Sequence, residues 1–408
     1  MTWLVVILGL ALLVFLHELG HFTVSWLVGM KPRALYVGFP PALVKVERNG
    51  IEYGIGTIPL GGYTRIPGMR RPSAGDFETR MSSAVGEDPA LRVPSNVVGR
   101  ELEAEDFDGA RAELPALNAE LEQSQLSRSA RTSAEQAGRD VDEGTGADAY
   151  WRQPTWKRVA AIAAGPGANV LIAFLIFFAV YATGAPSSTP STEVAQVEAH
   201  TPAAAAGLRA GDRIVAVDGH PTRTFTRTST LIDGSHGRPI TVTVDRDGRR
   251  LTLGPRRTIE SHGRWIWGFV PATQLVSYPP GTSARLAIED CWRVVTGTVA
   301  AVRGLAESRG GAEISGPVGI VRTSEQYLTV GLPWYLELLG LISMSLALYN
   351  LLPLLPLDGG HILVALIEGV RGRPVSQRVY QRFSTVGIAV IVFVTIIALE
   401  HDIGAAPH

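Results

Sequence analysis

Cysteine is nearly absent from this chain: its 408 residues include one, Cys291. A lone thiol excludes an internal disulfide and any zinc site built on cysteines. It falls on a plausible amphipathic segment and reads as a small packing residue. Net charge is lacking too. Lys and Arg number 37 against 38 Asp and Glu, a formal charge of −1. Without a basic excess the chain is a poor nucleic-acid binder, so no nucleic-acid partner is expected. Charged residues make up only 18% and hydrophobic residues 46%, the latter gathered in blocks. Basic side chains are also missing at the start. Met1-Thr2-Trp3 carries none, and no small-residue cleavage site precedes Lys31. A secretory leader needs both features. The first apolar run is therefore expected to be a retained membrane helix.

Four apolar runs are long enough to span a bilayer, which takes roughly 20 residues. They lie in segments 1–30, 150–185, 333–360 and 384–402. Lys31 and Arg33 follow the first, Lys157 and Arg158 open the second, and Arg371, Arg373, Arg378 and Arg382 fill the loop 361–383. Cytoplasmic loops carry the excess of Lys and Arg. All three signals give one topology. Both termini and the long 184–332 region are expected outside, with 31–156 and the 361–383 loop in the cytoplasm.

The first run contains His17-Glu18-Leu19-Gly20-His21. Two imidazoles and a carboxylate inside an apolar helix cost at least a few kcal/mol, so a function is the default explanation. Positions i and i+4 lie on one helix face. His17 and His21 can then grip one metal ion, and Glu18 can reach the water that ion holds. Catalytic zinc usually takes a third protein ligand, here an Asp, Glu or His from another apolar segment. The candidate is Asp358, in Asn350-Leu351-Leu352-Pro353-Leu354-Leu355-Pro356-Leu357-Asp358-Gly359-Gly360-His361. The prolines and glycines of this run break a helix at membrane depth, which is tolerated around a protein-lined cavity. His361 is a rival ligand but lies beyond the Gly359-Gly360 turn.

Together these motifs make the chain resemble the site-2 protease family of intramembrane zinc metalloproteases. The resemblance rests on His17 to His21 and on Asn350 to Gly359, which fits the family's Asn-x-x-Pro-x-x-x-x-Asp-Gly pattern. It extends to Gly61-Gly62-Tyr63, to Gly165-Pro166-Gly167-Ala168-Asn169 and to Ser315-Gly316-Pro317-Val318-Gly319-Ile320. It implies that His17, His21 and Asp358 bind Zn2+, that Glu18 is the general base, and that Asn350 helps to hold substrate or the oxyanion. It implies cleavage within transmembrane segments of single-pass membrane proteins, at the bacterial inner membrane. An anti-sigma factor or remnant signal peptides are the kinds of substrate implied.

The expected fold is a polytopic α-helical membrane protein with four transmembrane helices, a membrane-associated β-hairpin and an extracytoplasmic PDZ-like domain. In 31–72, Val44 to Arg48 alternates, Asn49-Gly50 turns, and Ile51 to Ile55 alternates again. This hairpin could lend its edge to an extended substrate through Val44, Val46, Ile51 and Tyr53, or it could merely plug the membrane mouth. Residues 73–149 are rich in Ala, Glu, Asp, Ser and Arg. The expectation is a mobile acidic insertion, with any helix over 101–126 interrupted at Pro115. In 192–256, the order of Pro202–Leu208, Ile214–Val217, Asp218-Gly219 and the later strands resembles a bacterial PDZ domain, which would bind peptide ends. The linker 257–332 holds a possible interfacial helix over 284–306, with Trp292 as its anchor. A catalytically idle scaffold with a peptide-binding domain is the first alternative function, but Glu18 and all three candidate ligands are intact. A metal transporter is the second. It would carry polar residues along several helices, and the second and fourth are nearly bare of them.

Overall fold

A computed structural model describes residues 2–261, 263–306 and 317–404; Ser315 and Gly316 lie outside them. Contacts divide the chain into two units. One comprises 1–176, 289–330 and 338–408; the other comprises 177–288 and 331–337.

The first unit opens with helix α1 (Thr2–Leu27). Its buried residues are Val6, Leu13, His17, His21 and Ser25, spaced by seven and then by four, so they form one stripe. Trp3, Leu4, Leu8, Leu12, Trp26 and Leu27 are exposed. This helix keeps its imidazoles inside and its large apolar side chains outside, the reverse of a water-soluble helix. Strands β1 (Ala34–Arg48) and β2 (Ile51–Arg65) follow. They are longer than a simple hairpin, because each folds back on the other. Residues 34–37 lie between 52–55 and 62–65, while 44–47 border 52–55 on the far side.

Residues 73–149 depart from the expectation of mobility. They contain helices α2 (Ala74–Glu87), α3 (Arg92–Glu103), α4 (Phe107–Gln123) and α5 (Arg128–Thr145). These share a core of Phe77, Met81, Leu91, Val98, Leu102, Leu114, Leu117, Leu121 and Val141, interleaved with Ala84, Ala110, Ala130, Ala134 and Ala137. Small residues let the helices approach closely, so a composition poor in large apolar residues still closes a core. Pro115 sits inside α4 without ending it. The break comes earlier, at 104–106, where Asp106 caps the next helix by accepting from the Gly109 N–H.

Helix α6 (Thr155–Thr183) buries Ala161, Ile162, Gly165, Asn169, Ala173 and Phe177 along one face. Its C-terminal end enters the second unit. There β3 (Ala185–Val197), α7 (Pro202–Ala206), β4 (Arg213–Val217), β5 (His220–Pro221), α8 (Phe225–Asp233), β6 (Pro239–Arg246) and β7 (Arg249–Arg257) follow in order. A small pair, β8 (Ile259–Ser261) and β9 (Arg264–Ile266), precedes β10 (Phe269–Val276). The sheet order is β10-β3-β4-β6-β7, with β5 on β4. The sheet thus begins before residue 192 and ends after 256. Trp267, beyond the expected boundary, belongs to the core with Val194, Ile214, Ile240, Val242 and Val244.

That core also buries Asp212, which receives Arg246 through both carboxylate oxygens at 2.6 and 2.7 Å. Burial pushes the carboxyl pKa up, but the guanidinium and the Arg209 N–H outweigh it and hold it below the usual Asp range. A depressed pKa contributes stability above the unfolded value, about 4, that is lost as pH falls through the folded one. The amide protection factors of 185–276 in the full chain, each taken relative to the intrinsic exchange rate at the same pH, should therefore fall on acidification below about pH 4. Arg246→Met should cost about 3 kcal/mol at neutral pH, because it strands a buried carboxylate. Equal protection in the variant and the parent would refute this.

Helix α9 (Pro280–Ala306) spans the expected interfacial segment, with Trp292 exposed. After α10 (Pro317–Val330) comes α11 (Leu332–Asn350). The helix then breaks over 351–357, and α12 (Asp358–Arg371) begins at the candidate ligand. The basic loop expected over 361–383 is thus helical in its first half. Glu368 in α12 pairs with the buried Arg158 at 2.6 Å and accepts from the Val375 N–H, which holds the helix against α6. Helix α13 (Gln377–Gly404) closes the described chain, starting before the expected 384. Among the described residues, four helices are long and apolar enough to cross a membrane: Trp3–Leu27, Thr155–Thr183, Leu332–Asn350 and Gln377–Glu400. The chain is an integral membrane protein.

Candidate metal centre

His17, His21 and Asp358 come together although Asp358 is more than 330 residues away in sequence. Both histidines are 6% exposed. Their Nε2 atoms are 3.2 Å apart, and each lies 3.3 Å from Oδ2 of Asp358. The helix period accounts for the first pair. The break after Asn350 accounts for the third group, since it lets α12 start with Asp358 facing α1.

The triangle fits a metal. Tetrahedral coordination at 2.0–2.1 Å places ligand atoms about 3.3–3.4 Å apart. Among the described residues, Oδ2 of Asp358 is buried with no hydrogen-bond partner. Nδ1 of His21 donates to the Ala161 carbonyl at 3.0 Å, which leaves its Nε2 with a lone pair. Electron-pair donors this close repel one another unless a cation lies between them.

Helix α6 supplies the wall behind the rings. Ala161, Gly165 and Asn169 follow one another at i+4 steps and so share a face. The Ala161 carbonyl meets His21, and the Asn169 amide lies 3.1 Å from Nδ1 of His17. Between them, a Cβ on Gly165 would run into the His21 imidazole. Gly20 of α1 likewise faces the Ala164 carbonyl and the Ala168 Cβ, so the two helices touch backbone to backbone. Gly165→Ala should push the His21 ring out of register and lower zinc retention at least tenfold. Dialysis against a chelator followed by metal analysis checks this, and wild-type retention would refute it.

Glu18 points to another neighbour. It is half-buried, and its Cγ lies against Gly62 of β2, where an added Cβ would be 2.9 Å away. Thr64, on the same strand, donates its hydroxyl to the Glu18 carbonyl at 2.9 Å. A cavity of about 710 Å³ starts at Tyr63 and Thr64 and is lined with Arg65, Arg70, Asp76 and Asp140, so a polar space reaches the strand beside Glu18.

The other expected site residues fall as follows. Val44 faces Ile55 and Val46 faces Tyr53 across the strands. With Ile51 they lie on the same face, since alternate residues point the same way. Val44, Val46, Tyr53 and Ile55 are exposed, and the Tyr53 ring approaches α1, 6.1 Å from that of Phe22. Asn350 donates its amide to the Leu346 carbonyl of its own helix at 3.1 Å. His361 turns toward Tyr380, whose hydroxyl is 3.4 Å from its Nδ1. Asn169 was not singled out as a site residue. A lone amide in an apolar helix, two residues beyond Gly165-Pro166-Gly167, was the available signal.

The sequence profile of peptidase family M50 matches residues 5–394, nearly the whole chain. The chain belongs to peptidase family M50. This is the site-2 protease family, and the M50 chain is therefore a zinc metalloprotease. Its similarity to individual relatives also runs end to end. It is 30% identical to an Agrobacterium fabrum protein whose name assigns it provisionally to the zinc metalloproteases, over 98% of this chain and 94% of that one. It is 26% identical to the regulator of sigma-W protease RasP of Bacillus subtilis, over 96% and 95% of the two chains. It is also 26% identical to the zinc metalloprotease RasP of Bacillus licheniformis, over 98% of each.

Proposed function

We propose that this M50 peptidase hydrolyses peptide bonds inside the transmembrane segments of single-pass membrane proteins. His17, His21 and Asp358 hold Zn2+, and Glu18 is the general base. The meeting of two buried imidazoles on a membrane helix with the carboxylate that opens α12 carries this reading. When bound, zinc supplies a Lewis acid that polarises the scissile carbonyl and makes water acidic near neutrality. Glu18 takes the proton of the attacking water and returns it to the leaving amine. Its place against Gly62 puts this exchange beside a β-strand, where an unwound substrate segment can lie extended. The apolar face of Val44, Val46, Ile51 and Tyr53 gives the substrate's side chains a surface at the same sheet. Asn350, at the end of α11, holds the substrate or its oxyanion.

The remaining parts follow from this role. The β3–β10 sheet with α7 and α8 is a PDZ-like domain that admits or docks peptide ends outside the membrane. The protein sits in the bacterial inner membrane with both termini outside. Substrates are regulatory membrane proteins such as an anti-sigma factor, or remnant signal peptides; the name of one relative, regulator of sigma-W protease, ties that relative to a sigma factor. Trapping tests the reading. Full-length Glu18→Gln, cross-linked in native membranes, should enrich single-pass proteins. The wild-type enzyme in liposomes should then cut them within their apolar segment. Enrichment of soluble proteins only, or cuts only in soluble loops, would overturn it. The orientation has its own test. In a Cys291→Ser background, Thr226→Cys should react with an impermeant reagent added outside cells and Ser129→Cys should not. The opposite pattern would invert the topology.

A further inference from the structure

We infer that Asn169 is a positioning residue for the metal centre, fixing the His17 ring by accepting its Nδ1–H through the side-chain carbonyl. The inference rests on the reading that His17, His21 and Asp358 hold zinc. A histidine that gives its Nε2 lone pair to a metal carries its proton on Nδ1, and that proton needs an acceptor. For His21 the acceptor is the Ala161 carbonyl, at 3.0 Å. For His17, among the described residues, the group placed against Nδ1 is the Asn169 amide, at 3.1 Å. With Nδ2 on that side, two nitrogens face each other and, among the described residues, Oδ1 is buried without a partner. A half-turn of the amide exchanges its ends without moving any other atom. It then sets the carbonyl against Nδ1–H, and the two histidines become equivalent in tautomer.

The surroundings hold the amide for this task. Asn169 is fully buried, and its backbone carbonyl accepts from the Ser343 hydroxyl at 2.9 Å. Ser343 is itself fully buried in α11. One residue thus ties three membrane helices together at the depth of the metal, and a ligand on α1 inherits its orientation from α6 and α11. A role confined to helix contact would need only the amide's shape. A role in orienting the ring needs an oxygen facing Nδ1.

Asn169→Asp keeps that oxygen, whereas Asn169→Leu keeps the approximate shape and loses it. In the full-length protein in detergent, zinc affinity measured by competition with a chromophoric chelator should fall about 10–100-fold for Asn169→Leu. It should stay within a few-fold of the parent for Asn169→Asp. The melting temperatures of the metal-stripped proteins should not follow this order. Wild-type affinity in Asn169→Leu, or an equal loss in both variants, would overturn the assignment. Should Asn169→Asp fail to fold, ring 15N NMR of the wild-type zinc form decides. A proton on His17 Nδ1 is expected, and an unprotonated Nδ1 would overturn the assignment. His17→Ala separates the two readings: zinc held there at wild-type affinity would remove the ligand set itself.

Discussion

Glu18→Gln should abolish proteolysis while leaving zinc bound. Glu18 follows a ligand by one residue, so its side chain leaves the helix about 100° from His17 and about 60° from His21, to one side of their stripe. It lies against β2 at Gly62 rather than among the ligand atoms. Gln has the same shape and can still hydrogen-bond water, but it cannot take a proton. General-base catalysis contributes about 10²–10⁴ in rate, and a loss of that size is expected. Cleavage of a reconstituted membrane substrate and metal analysis of the same sample measure both halves. Normal cleavage would remove Glu18 from the mechanism. Loss of zinc together with activity would make it a ligand instead of a base.

Asp358→Ala should lose both zinc and activity, and His361→Ala should keep both. Two imidazoles on one helix turn leave an ion with half of a tetrahedral shell, whereas catalytic zinc has three protein ligands. Removing the carboxylate also removes the only negative charge of the triangle. His361 is only three residues further along α12, but its ring is turned to Tyr380. Zinc stoichiometry after dialysis against a chelator is the measurement. Zinc lost by His361→Ala and kept by Asp358→Ala would exchange their roles.

The membrane helices and the metal motif were legible because they depend on local periodicity. A run of apolar residues is read by counting, and His17 and His21 share a face whatever surrounds them. The Pro353–Pro356 break was equally local, since proline lacks the N–H that a helix needs. The insertion over 73–149 was misread because composition reports side-chain size and charge, not how closely helices pack. Leu114, Leu117 and Leu121 form a stripe, but they need the Ala130–Ala134–Ala137 face of α5 to cover it. The sheet of the second unit was read too short for a similar reason. Strand β10 belongs to it only through pairing with β3, more than 70 residues earlier.

By itself the sequence determined how many helices can cross a membrane, which of them carries two imidazoles one turn apart, and where a third ligand could stand. Each follows from spacing along one element. Only the tertiary structure decided what surrounds those groups. It set Asp358 3.3 Å from both rings, placed the Ala161 carbonyl and the Asn169 amide behind them, and brought Gly62 and Thr64 to Glu18. The physical reason is distance along the chain. Asn169 is 152 residues from His17, and no periodicity relates them. Their meeting depends on Gly20 and Gly165 letting two helices close, the first against the Ala164 backbone and the second against the His21 ring.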